Sequence, residues 1–159
     1  MIFEAIGTFV FHPIQREKFK TGQLKFDWAK RYPQLFDDQD LQLATHQNTY
    51  HFFEWLGAIL LFNTTGYLSL VEKYEFKNHK RKQTILRKLV SPNILDLIHN
   101  NSTQCPDLLT YSPDMSDWFS CEVKGLGDRL SSGQKEYFEE LSKLSGKSIR
   151  IIKFKALKT

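Results

Sequence analysis

The sequence predicts an α/β domain in which a buried helix is followed by a three-stranded meander, a second helix and a last strand. Three observations carry this. Residues 66–76 (GYLSLVEKYEF) and 118–124 (WFSCEVK) alternate their side chains with the two-residue period of a strand. Residues 48–63 (NTYHFFEWLGAILLFN) are apolar all round, the mark of a helix buried on every side. Finally, Ser131-x-x-Gln134 forms a capping box ahead of a stripe at Tyr137, Phe138, Leu141 and Leu144. Gly146 ends that helix, and Ile149, Ile151 and Phe154 read as the closing strand.

A chain of 159 residues suits one domain, and at 41% hydrophobic with 14% aromatic residues it can bury a sizeable core. That excludes a disordered chain or a small disulfide-stapled scaffold. The net charge of +4 is compatible with a polyanionic partner without establishing one. Cys105 and Cys121 make no CxxC pair and are expected as reduced thiols in a cytoplasmic protein. The first residues lack the charged start, apolar middle and small-residue cleavage site of a signal peptide. The run from Phe52 to Phe62 is interrupted by Glu54 and falls short of the roughly 20 residues a bilayer needs, so no membrane partner is expected.

Residues 1–47 read as a mainly helical cap region of the same domain, and residues 48–159 as its core. Residues 2–11 fit a strand or a short helix equally, and Pro13 closes them. Trp28, Tyr32 and Leu35 follow at near-helical spacing, and Asp37-Asp38 marks either a turn or a helix start. Arg16, Lys18, Lys20 and Lys30 could dock phosphates, although aromatic stripes of this kind are more often packing. Asn48 or Thr49 can cap the apolar helix, in which Glu54 is the only charge. A buried carboxylate is costly unless it is paired, protonated or linked to a metal; a hydrogen bond from His51 or from a backbone amide would suffice. Glu72 is a rival carboxylate, but an ion pair with Lys73 explains it more simply. Lys77, His79, Lys80, Arg81, Lys82, Arg87 and Lys88 form the densest positive cluster, either a solvated face or a phosphate-binding one. A helix through Ile85, Leu86 and Leu89 ends near Pro92, and residues 94–98 make another turn.

The chemistry is concentrated in residues 104–134, QCPDLLTYSPDMSDWFSCEVKGLGDRLSSGQ. Residues 108–111 read as a strand and 112–117 as a turn, so a hairpin is expected. If it folds about Asp114 and Met115, Asp107 falls opposite Glu122. Directly opposed side chains in such a pair have Cβ atoms only about 4.5–5.5 Å apart, and two carboxylates there repel unless a cation lies between them. Hard oxygen donors favour Mg²⁺ or Mn²⁺ over Zn²⁺. Lys124 shares the face of Glu122 one strand repeat on, within reach of a metal-bound water or a phosphate oxygen.

The residues EVKGLGDRLSSGQ resemble the EVKG-x-x-DRLS-x-x-Q signature of the VRR-NUC nucleases, a family of the PD-(D/E)XK superfamily that includes the nuclease domain of the Fanconi-associated nuclease. The match runs from Cys105 to Lys155, about a third of the chain, with Leu126 where the family usually has proline. The resemblance implies a restriction-endonuclease-like PD-(D/E)XK core and a metal-dependent DNA endonuclease or exonuclease. It further implies selectivity for DNA structure (flaps, branches or single-strand/duplex junctions), in repair, recombination or mobile-element metabolism. Asp107, Glu122 and the Val123 backbone carbonyl would hold Mg²⁺ or Mn²⁺, with Glu54 binding directly or through water. Lys124 would position or deprotonate the attacking water, and Gln134 would serve as an accessory residue besides capping its helix. Lys80, Arg81, Lys82 and Arg129 are the candidate DNA-phosphate contacts. Junction cutting would favour a homodimer. A non-catalytic DNA-binding or assembly module with this fold, and a ribonuclease, remain open alternatives.

Overall fold

The computed structural model describes residues 2–46, 51–71, 74, 77–100 and 104–158. The elements run β1 (Phe3–Phe11), α1 (Pro13–Lys20), α2 (Gln23–Arg31), α3 (Asp38–His46), α4 (Phe52–Thr65), β2 (Leu68–Leu70), α5 (Lys80–Leu89), α6 (Pro92–Asn100), β3 (Leu108–Tyr111), β4 (Trp118–Lys124), α7 (Ser132–Ser145) and β5 (Ile149–Ala156). One mixed sheet takes the order β1-β5-β4-β3-β2. β2, β3 and β4 pair antiparallel, whereas β4 with β5 and β5 with β1 pair parallel. A parallel neighbour cannot be reached by a tight turn, and α7 supplies the crossover from β4 to β5.

The segment at residues 2–11, open between strand and helix in the sequence, is a strand and forms one edge of the sheet beside β5. The alternation expected across residues 66–76 yields only the short β2; Glu72 and Lys73 lie outside the described residues, as do Asn48 and Thr49, the expected caps of α4. Among the described residues no helix is long and apolar enough to cross a membrane.

Strand alternation separates two cores, one on each face of the sheet. Leu108, Phe119, Cys121, Val123, Ile152 and Phe154 join Phe19, Trp28, Phe36, Phe52 and Trp55 of the α1–α4 layer. Leu109, Tyr111, Trp118 and Ile149 join Leu86, Ile98, Tyr137 and Phe138 of α5–α7. Trp55 stacks on Phe36 at 3.9 Å between centroids, which ties α4 to the segment before α3. α4 packs down on β4 because Gly57 has no side chain: a Cβ there would lie 3.1 Å from Val123 Cγ2. That close approach fixes how near Glu54, one turn earlier, comes to the end of β4.

Candidate active site

β3 and β4 pair Leu108 with Cys121 and Tyr111 with Trp118, the register expected from a turn about Asp114 and Met115. Asp107 extends the register past the end of β3 by a reciprocal pair of bonds. Its backbone N–H donates to Glu122 Oε1 at 3.0 Å, and its Oδ2 accepts from the Val123 N–H at 2.8 Å. The Tyr74 hydroxyl donates to the Pro106 carbonyl at 2.6 Å and anchors the segment that presents Asp107. Glu122 is 1% exposed. Its Oε2 accepts from Lys124 Nζ at 3.1 Å and from Gln134 Nε2 at 3.3 Å.

Gln134 acts at two places. Its Oε1 accepts from the Ser131 N–H at 3.0 Å while Ser131 Oγ accepts from the Gln134 N–H at 3.1 Å, so the capping box forms. That box spends the amide oxygen and leaves the NH₂ aimed at Glu122. Past Lys124, the chain turns with Asp128 Oδ2 accepting from the Gly125 N–H at 3.1 Å.

These groups line a cavity of about 370 Å³ at the carboxyl end of β4, together with Arg16, His51, Phe53 and Glu54. His51 Nδ1 stands 3.7 Å from Glu54 Oε2. Burial pushes the Asp107 carboxyl well above the usual carboxylate range, and the charges of Glu54 and Glu122 push it further, against the Val123 amide that favours the ionised form. Three carboxylates therefore share one corner, with Lys124 held against only one of them.

Among the described residues no group of three or more His, Cys, Asp or Glu side chains converges as a ready-made metal cage. A hard divalent ion does not need one, since Mg²⁺ keeps several waters and binds through one or two carboxylates. Asp107 and Glu122, two hard oxygen donors side by side with Lys124 held against only one of them, fit such an ion. Zn²⁺ would want nitrogen or sulfur, and Cys121 is buried with its thiol pKa driven upward by desolvation.

The four cations assigned to phosphate contact separate. Lys82 is fully buried, with its Nζ donating to Asp40 Oδ1 and the Val71 carbonyl. Arg81 Nε donates to Asp37 Oδ2 at 2.8 Å. Both tie α5 to α3 and the residue before it, but differently: Lys82 is buried and engaged inside the protein, whereas the Arg81 side chain stays 37% exposed while it holds Asp37. Lys80 and Arg129 are exposed. Arg16, placed by the sequence in a rival docking surface, instead lines the cavity with its guanidinium 5.1 Å from the Phe53 ring centroid. Phe53 and Asp128 also line the cavity; Asp128 belongs to the DRLS run, whereas Phe53 reaches it only through the folded proximity of α4 and the β4 turn.

No protein-family model matches the chain, and no curated protein matches it. Among solved structures, the crystal structure of paFAN1 bound to 2nt 5′flap DNA with gap aligns with a TM-score of 0.34 and 14% identity, over 91% of this chain. This chain spans 22% of that one.

Proposed function

We propose that the protein is a nuclease with a PD-(D/E)XK core, in which residues 48–159 carry the site and residues 1–47 complete the same domain, and that it hydrolyses DNA phosphodiesters with Mg²⁺ or Mn²⁺. The observation that carries this is Asp107 locked to both Glu122 and the Val123 amide at the end of β4, with Lys124 and Gln134 both directed at Glu122. Asp107, Glu122 and the Val123 carbonyl are the proposed ligands, with Glu54 binding directly or through water. Such an ion lowers the pKa of a coordinated water and neutralises charge on the scissile phosphate.

Lys124 is one strand repeat from Glu122, and its ammonium can move from Glu122 to a phosphate oxygen or hold the attacking water once a cation takes over the carboxylate. Gln134 keeps Glu122 oriented through its NH₂. Arg16, which lines the cavity, and the exposed Arg129 and Lys80 are the proposed phosphate contacts. Flap or branched DNA is the proposed substrate form.

Glu122→Gln and Lys124→Ala each abolish Mg²⁺-dependent cleavage while DNA binding largely survives, measured on branched, single-stranded, duplex and RNA substrates with EDTA controls. Full activity in both variants would overturn the assignment. The Lys124–Glu122 contact at 3.1 Å also suits a non-catalytic module in which lysine replaces the metal. Calorimetry with Mn²⁺ on wild type and Asp107→Asn separates the two, because that module binds no ion.

A further inference from the structure

Beside the proposed site runs a second cleft, of about 390 Å³, that shares Lys124 and Asp128 with it. Its volume falls within the roughly 300–1,000 Å³ of clefts that take small organic ligands. The parallel register of β4 and β5 sets Lys124 beside Lys153 on one face of the sheet. Arg129 and Lys135 reach the same cleft from the β4–α7 turn and the first turns of α7. Four cations thus surround one cleft. Its acidic member, Asp128, is engaged with the Gly125 amide at 3.1 Å.

Lys124 is drawn to Glu122, whereas no ion pair engages Arg129, Lys135 or Lys153 among the described residues. Like charges on neighbouring strands cost energy unless an anion lies between them. The floor is of another kind: Phe3, Leu130 and Ile151 offer apolar surface, with Phe3 held edge-on by Phe138 at 6.3 Å. Cations around an apolar and aromatic floor match a nucleotide, whose phosphate needs the former and whose sugar and base cover the latter.

We propose that this cleft is a nucleotide subsite that holds the unit next to the scissile phosphate. Its phosphate lies among Arg129, Lys135 and Lys153, and its sugar and base rest over Ile151 and Phe3. The identity of the strand rests on the hydrolytic reading above; binding in the cleft does not. A strand crossing from one cavity to the other passes Lys124, which then serves both.

The test is fluorescence anisotropy in EDTA with a 5′-phosphorylated tetrathymidylate labelled at its 3′ end. Lys135→Glu/Lys153→Glu weakens binding at least tenfold and lowers the slope of log affinity against log salt by about 1–2. Lys143→Glu/Lys158→Glu, the same charge change at two exposed lysines outside the cleft, shifts affinity less than twofold. Equal affinities for the two double variants would overturn the subsite, whatever the cleavage assays show. Conversely, the tenfold loss without cleavage in any metal leaves the subsite standing and removes the nuclease reading.

Discussion

Gly125→Ala tests how the site is braced. A Cβ at Gly125 would meet Phe53 Cε2 at 2.5 Å, Cδ2 at 2.6 Å and Cζ at 3.0 Å. Carbon atoms prefer about 3.5–4.0 Å, so either the ring or the β4 turn must move by about 1 Å. The ring has little room: Phe11 and Phe52 lie at 5.0 and 5.2 Å, and Phe154 stacks on it at 5.9 Å. Overpacking of this kind costs about 1–3 kcal/mol. The turn directly follows Lys124, and a misplacement of about 1 Å can cost 10²-fold in rate. Urea denaturation and kcat/KM with Mg²⁺ should show both losses together. Phe53→Leu should then partly restore activity to the alanine variant while destabilising the wild type. Gly127→Ala, in open space at φ +71°, should instead cost about 1–2 kcal/mol of left-handed strain without touching α4. Wild-type stability and rate in Gly125→Ala would refute the bracing.

The buried Asp40–Lys82 pair should behave as a unit. Lys82→Met or Asp40→Leu alone should cost about 3–5 kcal/mol, and the double change far less, in a denaturation cycle; additive losses would refute this. Burial pushes the Asp40 carboxyl up to about 6 despite the attraction of Lys82. Because that is above its unfolded value, Asp40 stabilises fully below the ordinary carboxylate range, and this contribution is lost as pH rises through about 6. The double variant should lack that part of the pH profile. Mg²⁺ at 100 times its Kd should stabilise the protein by about 2.7 kcal/mol, read as a raised melting temperature, and Asp107→Asn should abolish the shift. An unchanged shift would place the ion elsewhere.

Local rules read the neighbourhood of Asp107, Glu122, Lys124 and Gln134 well, because one turn sets a hairpin register and one capping box sets a helix start. Each depends on residues close in sequence. Lys82 shows where such rules stop: composition places it in a basic face, while its partner Asp40 is distant in sequence and on another helix. Residues 2–11 stayed ambiguous for the same reason, since only β5 makes them a strand. Lys153 gained its meaning from the parallel pairing with β4, which no short-range pattern announces.

The pairing of Phe3 with Ile149 joins nearly opposite ends of the described chain. Closing so long a loop costs about 4 kcal/mol in chain entropy, which only the finished sheet returns. During synthesis at about 5–20 residues per second, Lys124 precedes β5 by a few seconds. Until then the edge of β4 that bears Glu122 and Lys124 lacks its parallel neighbour. The β4 edge that carries the proposed site is therefore finished only when β5, made after it, pairs along it.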